Sequence, residues 1–308
     1  MADELDLKPF DLGSSFSDFP DSEGDEIQEK AKRSEAPKGV YTDMSNYDYH
    51  NSKAISNSGL SKLDPETGSP AHLGAYLDKG SRRTAALDFG AIFHDITLMP
   101  QSYVDAHYAI SPKYDLRNSK DVIAKENFYK DVEPGIIVIN EQDYALAKAM
   151  RESVLDNPTA RWLIEAAQDE NGCENSHFWY DKKTYNYCRV RPDIACLSKG
   201  ILGDLKSTAD CSPKEFKKSV YDYNYHQQQA MYTDGVEQTT DAIVNDFQFI
   251  VTEKKLDLPI TVIYRLDPEA VDKGNNDYRD RMYQYAQLLR KNSFYDPVDL
   301  SLPRYAFN

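Results

Sequence analysis

The chain has 308 residues, 40% of them hydrophobic, and a formal net charge of -15. That apolar content supplies a real core and excludes a wholly disordered chain. The acidity excludes a protein coated in Lys and Arg, so any phosphate-binding surface must be a local groove in an acidic body.

Residues 1–39 are rich in Asp, Glu, Ser and Pro and hold no sustained period. They read as an acidic flexible tail ahead of a foldable domain at 40–308. Ser56 or Ser58 is placed to cap a short helix through GLSKL, and PAHLGAYL follows with helical spacing. A longer helix is predicted from Thr84 to Leu98, with Leu87, Ala91, His94 and Leu98 near one face and Pro100 as its stop. EQDYALAKAMRESVL and TARWLIEAAQ read as amphipathic helices parted by Asp156-Asn157-Pro158.

The pattern then turns to strands: SHFWYD, the run from Tyr185 to Cys196, and GILGDLKST. Helical spacing returns in SPKEFKKSVYDY and HQQQAMYTDGV, followed by strands in DFQFIVTEK and PITVIYRL and a helix from about Pro268 to Lys291. This order describes an α/β fold with a central mixed sheet covered on both faces. No apolar run approaches the roughly 20 residues of a membrane span, and MADELDLKPF lacks the character of a signal peptide. A cytoplasmic protein is expected. Cys173, Cys188, Cys196 and Cys211 form no CxxC pair and are expected to be reduced and structural.

The hairpin carries the chemistry. With its turn at Ser198-Lys199, residues whose numbers sum to 397 lie opposite each other, and Asp193 faces Asp204. Opposed side chains share a sheet face about 4.5–5.5 Å apart at Cβ. Two carboxylates that close repel, and burial makes ionising both harder, so such a pair implies a proton or a cation. Mg²⁺ suits it, since Mg²⁺ prefers oxygen ligands and binds through one or two carboxylates plus substrate phosphate. Lys206, two residues past Asp204, falls on the same face. Its ammonium is positioned to orient water or offset charge building on phosphate. An exposed hairpin with ordinary surface charges is the competing reading of this spacing. Glu253 in VTEKK would either face the same site or be an edge-strand surface charge.

RPDIACLSKGILGDLKST resembles the core of the PD-(D/E)XK nuclease superfamily. Over residues 41–306 the chain is similar to its RecE-type branch, the exodeoxyribonuclease VIII proteins of phages and prophages. YHNSKAISNSGLSKL with SPAH, GAIFH, the hairpin, STADCSPKEFKKSVYDYNYHQQQAMYTDG and the closing LSLPRYA occur in that branch's order. The resemblance implies a restriction-endonuclease-like core, Asp193 and Asp204 as metal ligands, and Lys206 as the catalytic lysine. It implies that His94 joins the metal site from the neighbouring helix, and that Gln228 and Tyr232 form the family's Gln-x-x-x-Tyr element. Ser58 lies where related enzymes contact the 5′-phosphate. The implied cofactor is Mg²⁺, with Mn²⁺ able to substitute.

The expected activity is 5′-to-3′ degradation of one strand of linear double-stranded DNA, leaving 3′ tails for recombination. The resemblance further implies a ring-shaped homo-oligomer and a single-strand annealing partner of the RecT type. Lys214, Lys217, Lys218, Arg189 and Arg191 would line the inner channel of such a ring. Two rivals stand: a catalytically silent nuclease fold acting as an acidic DNA mimic, and a nuclease of another polarity or substrate.

Overall fold

The computed structural model describes residues 36–80 and 84–302. The acidic stretch at 1–35 and the end of the LSLPRYA motif lie outside the described residues.

Strand β1 (Gly39–Tyr41) opens the described chain, and helix α1 (Asn46–Asn51) starts from Ser45, whose hydroxyl accepts from the Asp48 amide. Helix α2 (Asn57–Leu60) is capped by Ser56, whose Oγ accepts from the Gly59 amide at 3.3 Å. Of the two serines predicted to cap, Ser56 has the extended backbone that aims its hydroxyl at the first turn, whereas Ser58 lies inside the helix, exposed. Helix α3 (Pro70–Lys79) carries proline in its first turn.

Helix α4 (Ala85–Leu98) starts at the Thr84 cap and ends before Pro100, as its spacing predicts. Its buried stripe keeps Leu98 of the predicted set but otherwise differs. Phe89, Ile92, Phe93 and Ile96 face the core, while Leu87 is 57% exposed. Both sets have helical spacing, and the one with more apolar area wins the interior. His94 is thereby turned away from the packed stripe.

Helix α5 (Gln101–His107), β2 (Tyr108–Ser111), α6 (Ser119–Asp131) and β3 (Ile137–Asn140) form a unit the sequence pattern does not announce. Its two strands pair in parallel, and α6 has no buried residue, hence no apolar stripe to read. Helices α7 (Glu141–Asp156) and α8 (Pro158–Asp169) meet at Asn157, whose Oδ1 accepts from the Thr159 and Ala160 amides.

Next come β4 (Ser176–Asp181), β5 (Asn186–Val190), β6 (Ile194–Cys196) and β7 (Ile201–Thr208). The run expected as one strand from Tyr185 to Cys196 breaks at Arg191-Pro192-Asp193, because proline has no N–H for a ladder. The two pieces belong to different sheets: β5 to a three-stranded sheet ordered β1-β4-β5, and β6 to a four-stranded one with β7. After helices α9 (Pro213–Asp222) and α10 (Tyr225–Thr239), strands β8 (Asp246–Glu253) and β9 (Thr261–Tyr264) complete the order β6-β7-β8-β9. This sheet is mixed: β7 and β8 run parallel and the outer pairs antiparallel.

Alternation along the strands divides its two faces. Ile194, Cys196, Leu205 and Ile250 pack with Phe93, Met150 and Leu163 of α4, α7 and α8. Ala195, Leu202, Phe247, Phe249 and Val251 pack with Phe216 and Val236 of α9 and α10. Helix α11 (Pro268–Lys291) lies against α10, and the contact at Gly274 is so close that a Cβ there would sit 2.2 Å from the His226 carbonyl oxygen. The four cysteines are free. Among the described residues no helix is long and apolar enough to cross a membrane.

Candidate active site

The β6–β7 ladder pairs Ile194 with Gly203, Ala195 with Leu202 and Cys196 with Ile201, each pair summing to 397. A 3₁₀ turn at Leu197–Lys199 closes the hairpin through Gly200, whose φ of 65° is left-handed and suits glycine. Asp193 stands at the bend just before β6. Its Oδ2 accepts from the Leu205 amide at 2.6 Å, which ties it to β7 between Asp204 and Lys206.

On β7, Lys206 Nζ forms an ion pair with Asp204 Oδ2 and donates to Gln228 Oε1 at 3.1 Å. Gln228 Nε2 donates to Asp204 Oδ1 at 2.6 Å. Both oxygens of Asp204, only 1% exposed, thus have partners on the chain itself. The Lys206 ammonium also lies 4.4 Å from the centre of the Tyr225 ring. Tyr232, one turn after Gln228, is half-buried, and burial keeps its phenol well above the usual tyrosine range and neutral.

Facing this triangle, His94 Nδ1 lies 3.5 Å from Asp193 Oδ1 and 3.9 Å from Glu174 Oε1. His94, Glu174 and Asp193 each offer a ligand atom, all within 4.8 Å of one another. Sequence reasoning missed Glu174. It sits in the turn between α8 and β4 with a left-handed φ of 55°, outside any periodic element, and its amide donates to the Asp193 carbonyl at 3.2 Å. A readable signal lies beside it: Gly172, where a Cβ would meet the Ala195 carbonyl oxygen at 2.0 Å, lets this turn press against β6.

The charges strain against each other. Burial raises Glu174, and the Asp193 carboxylate adds to it, leaving the group pushed up to about 8. Burial also raises Asp204, to about 6, although Lys206 pulls it back. His94 is pulled down by burial, yet the neighbouring Asp193 and Glu174 outweigh that and lift it to about 9. Asp193 itself ends below the usual range, because His94 and Lys206 offset its burial. Carboxylates this unwilling to ionise mark a place where positive charge is wanted.

The remaining expected residues fall elsewhere. Ser58 is exposed within α2 and is not part of the cluster of His94, Glu174 and Asp193. Gln227, next to Gln228, is fully buried and bonds Asn57 Oδ1 at 2.6 Å. Glu253 is buried on an interior strand, accepting from the Cys211 amide at 3.2 Å and pairing with Lys255, so it neither faces the site nor lies on an edge. Arg189 is buried and donates to the Ser52 carbonyl at 2.6 Å. Arg191 donates to the Met44 carbonyl at 2.9 Å and to Ser176 Oγ at 2.8 Å. Both guanidiniums lie over the Tyr49 ring. They hold α1 to the strands, Arg189 from a buried position and Arg191 from a half-buried one.

The donor set of one imidazole and two carboxylates, from His94, Glu174 and Asp193, fits a divalent cation that accepts oxygen and nitrogen, while the oxygens of Asp204 are held by Lys206 and Gln228.

Residues 56–297 match the family described as a PDDEXK-like domain of unknown function (DUF3799). The chain belongs to this family. As a PDDEXK-like protein it is also similar in structure to a Eubacterium rectale protein provisionally named an exonuclease. That likeness has a TM-score of 0.55 at 15% sequence identity and covers 86% of this chain and 92% of the other, which carries the fold alone. No curated protein matches the chain at a significant level. The PD-(D/E)XK superfamily expected from the hairpin is therefore established, and the mixed α/β core with flanking helices agrees with it.

Proposed function

We propose that this PDDEXK-like protein is a divalent-metal-dependent exodeoxyribonuclease that degrades one strand of linear double-stranded DNA from 5′ to 3′ and leaves 3′ single-stranded tails. The reading rests on one observation: Asp193, Glu174 and His94 gather across a hairpin from the linked set Asp204, Lys206 and Gln228. Asp193, His94 and Glu174, joined by Asp204, would hold Mg²⁺ or Mn²⁺, and a cation there supplies Lewis-acid polarisation of the phosphodiester. Lys206 keeps its proton, since Asp204 offsets its burial, and presents a cation to the reacting phosphate. Gln228 fixes the Asp204 carboxylate and the ammonium together, and Tyr232 packs behind it. Ser58, exposed on α2, offers its hydroxyl to a terminal 5′-phosphate.

The resemblance to the RecE-type branch supports the polarity, a ring-shaped homo-oligomer, a RecT-type annealing partner and action in the cytoplasm. Lys214, Lys217 and Lys218 on α9 are exposed and suit a DNA-facing channel. The experiment is digestion of linear and closed circular duplex, end-labelled where ends exist, with and without Mg²⁺. Metal-dependent release of 5′ label from linear DNA alone is expected; cleavage of closed circles, or 3′ label released first, would reject the reading.

A further inference from the structure

Beside Lys206 a column of three aromatic rings climbs from the sheet to solvent. At its base Phe249 of β8 is fully buried. Tyr225 stacks on it with centroids 5.9 Å apart and planes 25° apart, and Tyr223 follows at 5.7 Å and 32°. Tyr223 is 64% exposed, so the column ends in an open ring. The middle ring is the one whose centre lies 4.4 Å from Lys206 Nζ.

The turn that builds this column is held deliberately. Asn224, between the two tyrosines, has a left-handed φ of 57°, a conformation that asparagine adopts more readily than other L-residues. Its Oδ1 accepts from Arg281 Nη1 at 2.9 Å, and the buried Arg281 is paired with Asp64 Oδ2 at 2.8 Å and donates to Gln227 Oε1 at 2.5 Å. Had α9 simply continued as a helix, residues two apart would point to nearly opposite sides, and the two tyrosine rings could not meet. Leading into the turn, α9 exposes Lys214, Lys217, Lys218 and the half-exposed Tyr221. Open aromatic rings next to exposed cations are the chemistry that grips single-stranded nucleic acid: bases stack on the rings, and lysines answer the phosphates.

We propose that Tyr223 and Tyr225 form a stacking platform for unpaired bases of a DNA strand, holding the nucleotides next to the phosphodiester that meets Lys206. The platform rests on the nuclease reading of that site and adds its substrate form: an end already separated from its complement.

The test measures binding apart from cleavage. The full chain, with divalent metal chelated, is titrated into a fluorescent oligothymidylate of about 15 residues and into a matching abasic strand, followed by anisotropy. Tyr223→Ala is expected to weaken thymidylate binding about tenfold, the loss of one stacked base. Tyr223→Trp and Tyr223→Phe retain it, and wild type binds the abasic strand about as weakly as Tyr223→Ala binds thymidylate. Tyr129→Ala, which removes a half-exposed tyrosine from α6, leaves binding unchanged. The platform is overturned if Tyr223→Ala binds within about twofold of wild type, if Tyr223→Phe loses as much as Tyr223→Ala, or if wild type ignores the missing bases. A protein that cuts DNA in Mg²⁺ yet binds without regard to Tyr223 loses only the platform. One that stacks bases but never cuts loses only the nuclease reading.

Discussion

Replacing Glu174 by Gln tests the site through its protons. In the metal-free site Glu174 is pushed up to about 8 and His94 to about 9, so both are mostly protonated at pH 7. Ligation needs an ionised carboxylate and a neutral imidazole, so an entering cation must displace both protons. Binding at pH 7 should release about two protons, and apparent affinity should rise by about two decades per unit between pH 6 and 7, flattening toward pH 8 as Glu174 ionises on its own. The sign is fixed: the free state holds more protons than the bound state, so higher pH favours the cation. Glu174→Gln keeps the shape and has no proton to lose. Release should fall to about one, the pH slope should halve, and affinity should drop by about 10–100-fold as a ligand is lost. Calorimetric titration of Mn²⁺ at pH 7, in buffers of different ionisation enthalpy, counts the protons directly. Equal proton release from wild type and Glu174→Gln would refute the role given to Glu174.

Three further outcomes follow from the same contacts. Lys206→Ala should lower cleavage by about 10²–10⁴-fold while leaving cation binding in place, whereas Asp204→Ala should weaken cation binding too; indistinguishable cation titrations for wild type and both variants would defeat that division. Gly172→Ala places a Cβ 2.0 Å from the Ala195 carbonyl oxygen, so the turn carrying Glu174 must move. It should cost about 1–3 kcal/mol of stability and, in protein that still folds, weaken cation affinity; unchanged affinity would argue against the turn's part in the site. Arg281→Met strips Asp64, Asn224 and Gln227 of a buried partner and should destabilise the fold by about 3–5 kcal/mol in urea unfolding, with a loss under about 1 kcal/mol counting against it.

The hairpin was legible because a two-residue period leaves little freedom: once the turn is placed near Ser198-Lys199, every opposed pair follows, and the observed pairs sum to 397 as expected. The helices with caps and prolines, such as the one from Thr84 to Leu98, were readable for the same local reason. Which of three adjacent glutamines turns toward Lys206 was not local; it is decided by Asn57 and Arg281 claiming Gln227. Glu174 was hidden because a left-handed turn residue belongs to no period, and its partner Asp193 comes 19 residues later, after a complete hairpin. The unit of β2, α6 and β3 escaped because a helix with no buried residue leaves no stripe.

Pro192 forces the chain to step from one sheet to another, and Asp193 is the residue at the step. The proposed cation site thus lies at a seam between two separately packed layers, clamped on one side through Leu205 and on the other through the strand that ends at Val190. A fault deep in either layer, even one far from any ligand, would register first as a slackened grip on the cation and only afterwards as unfolding.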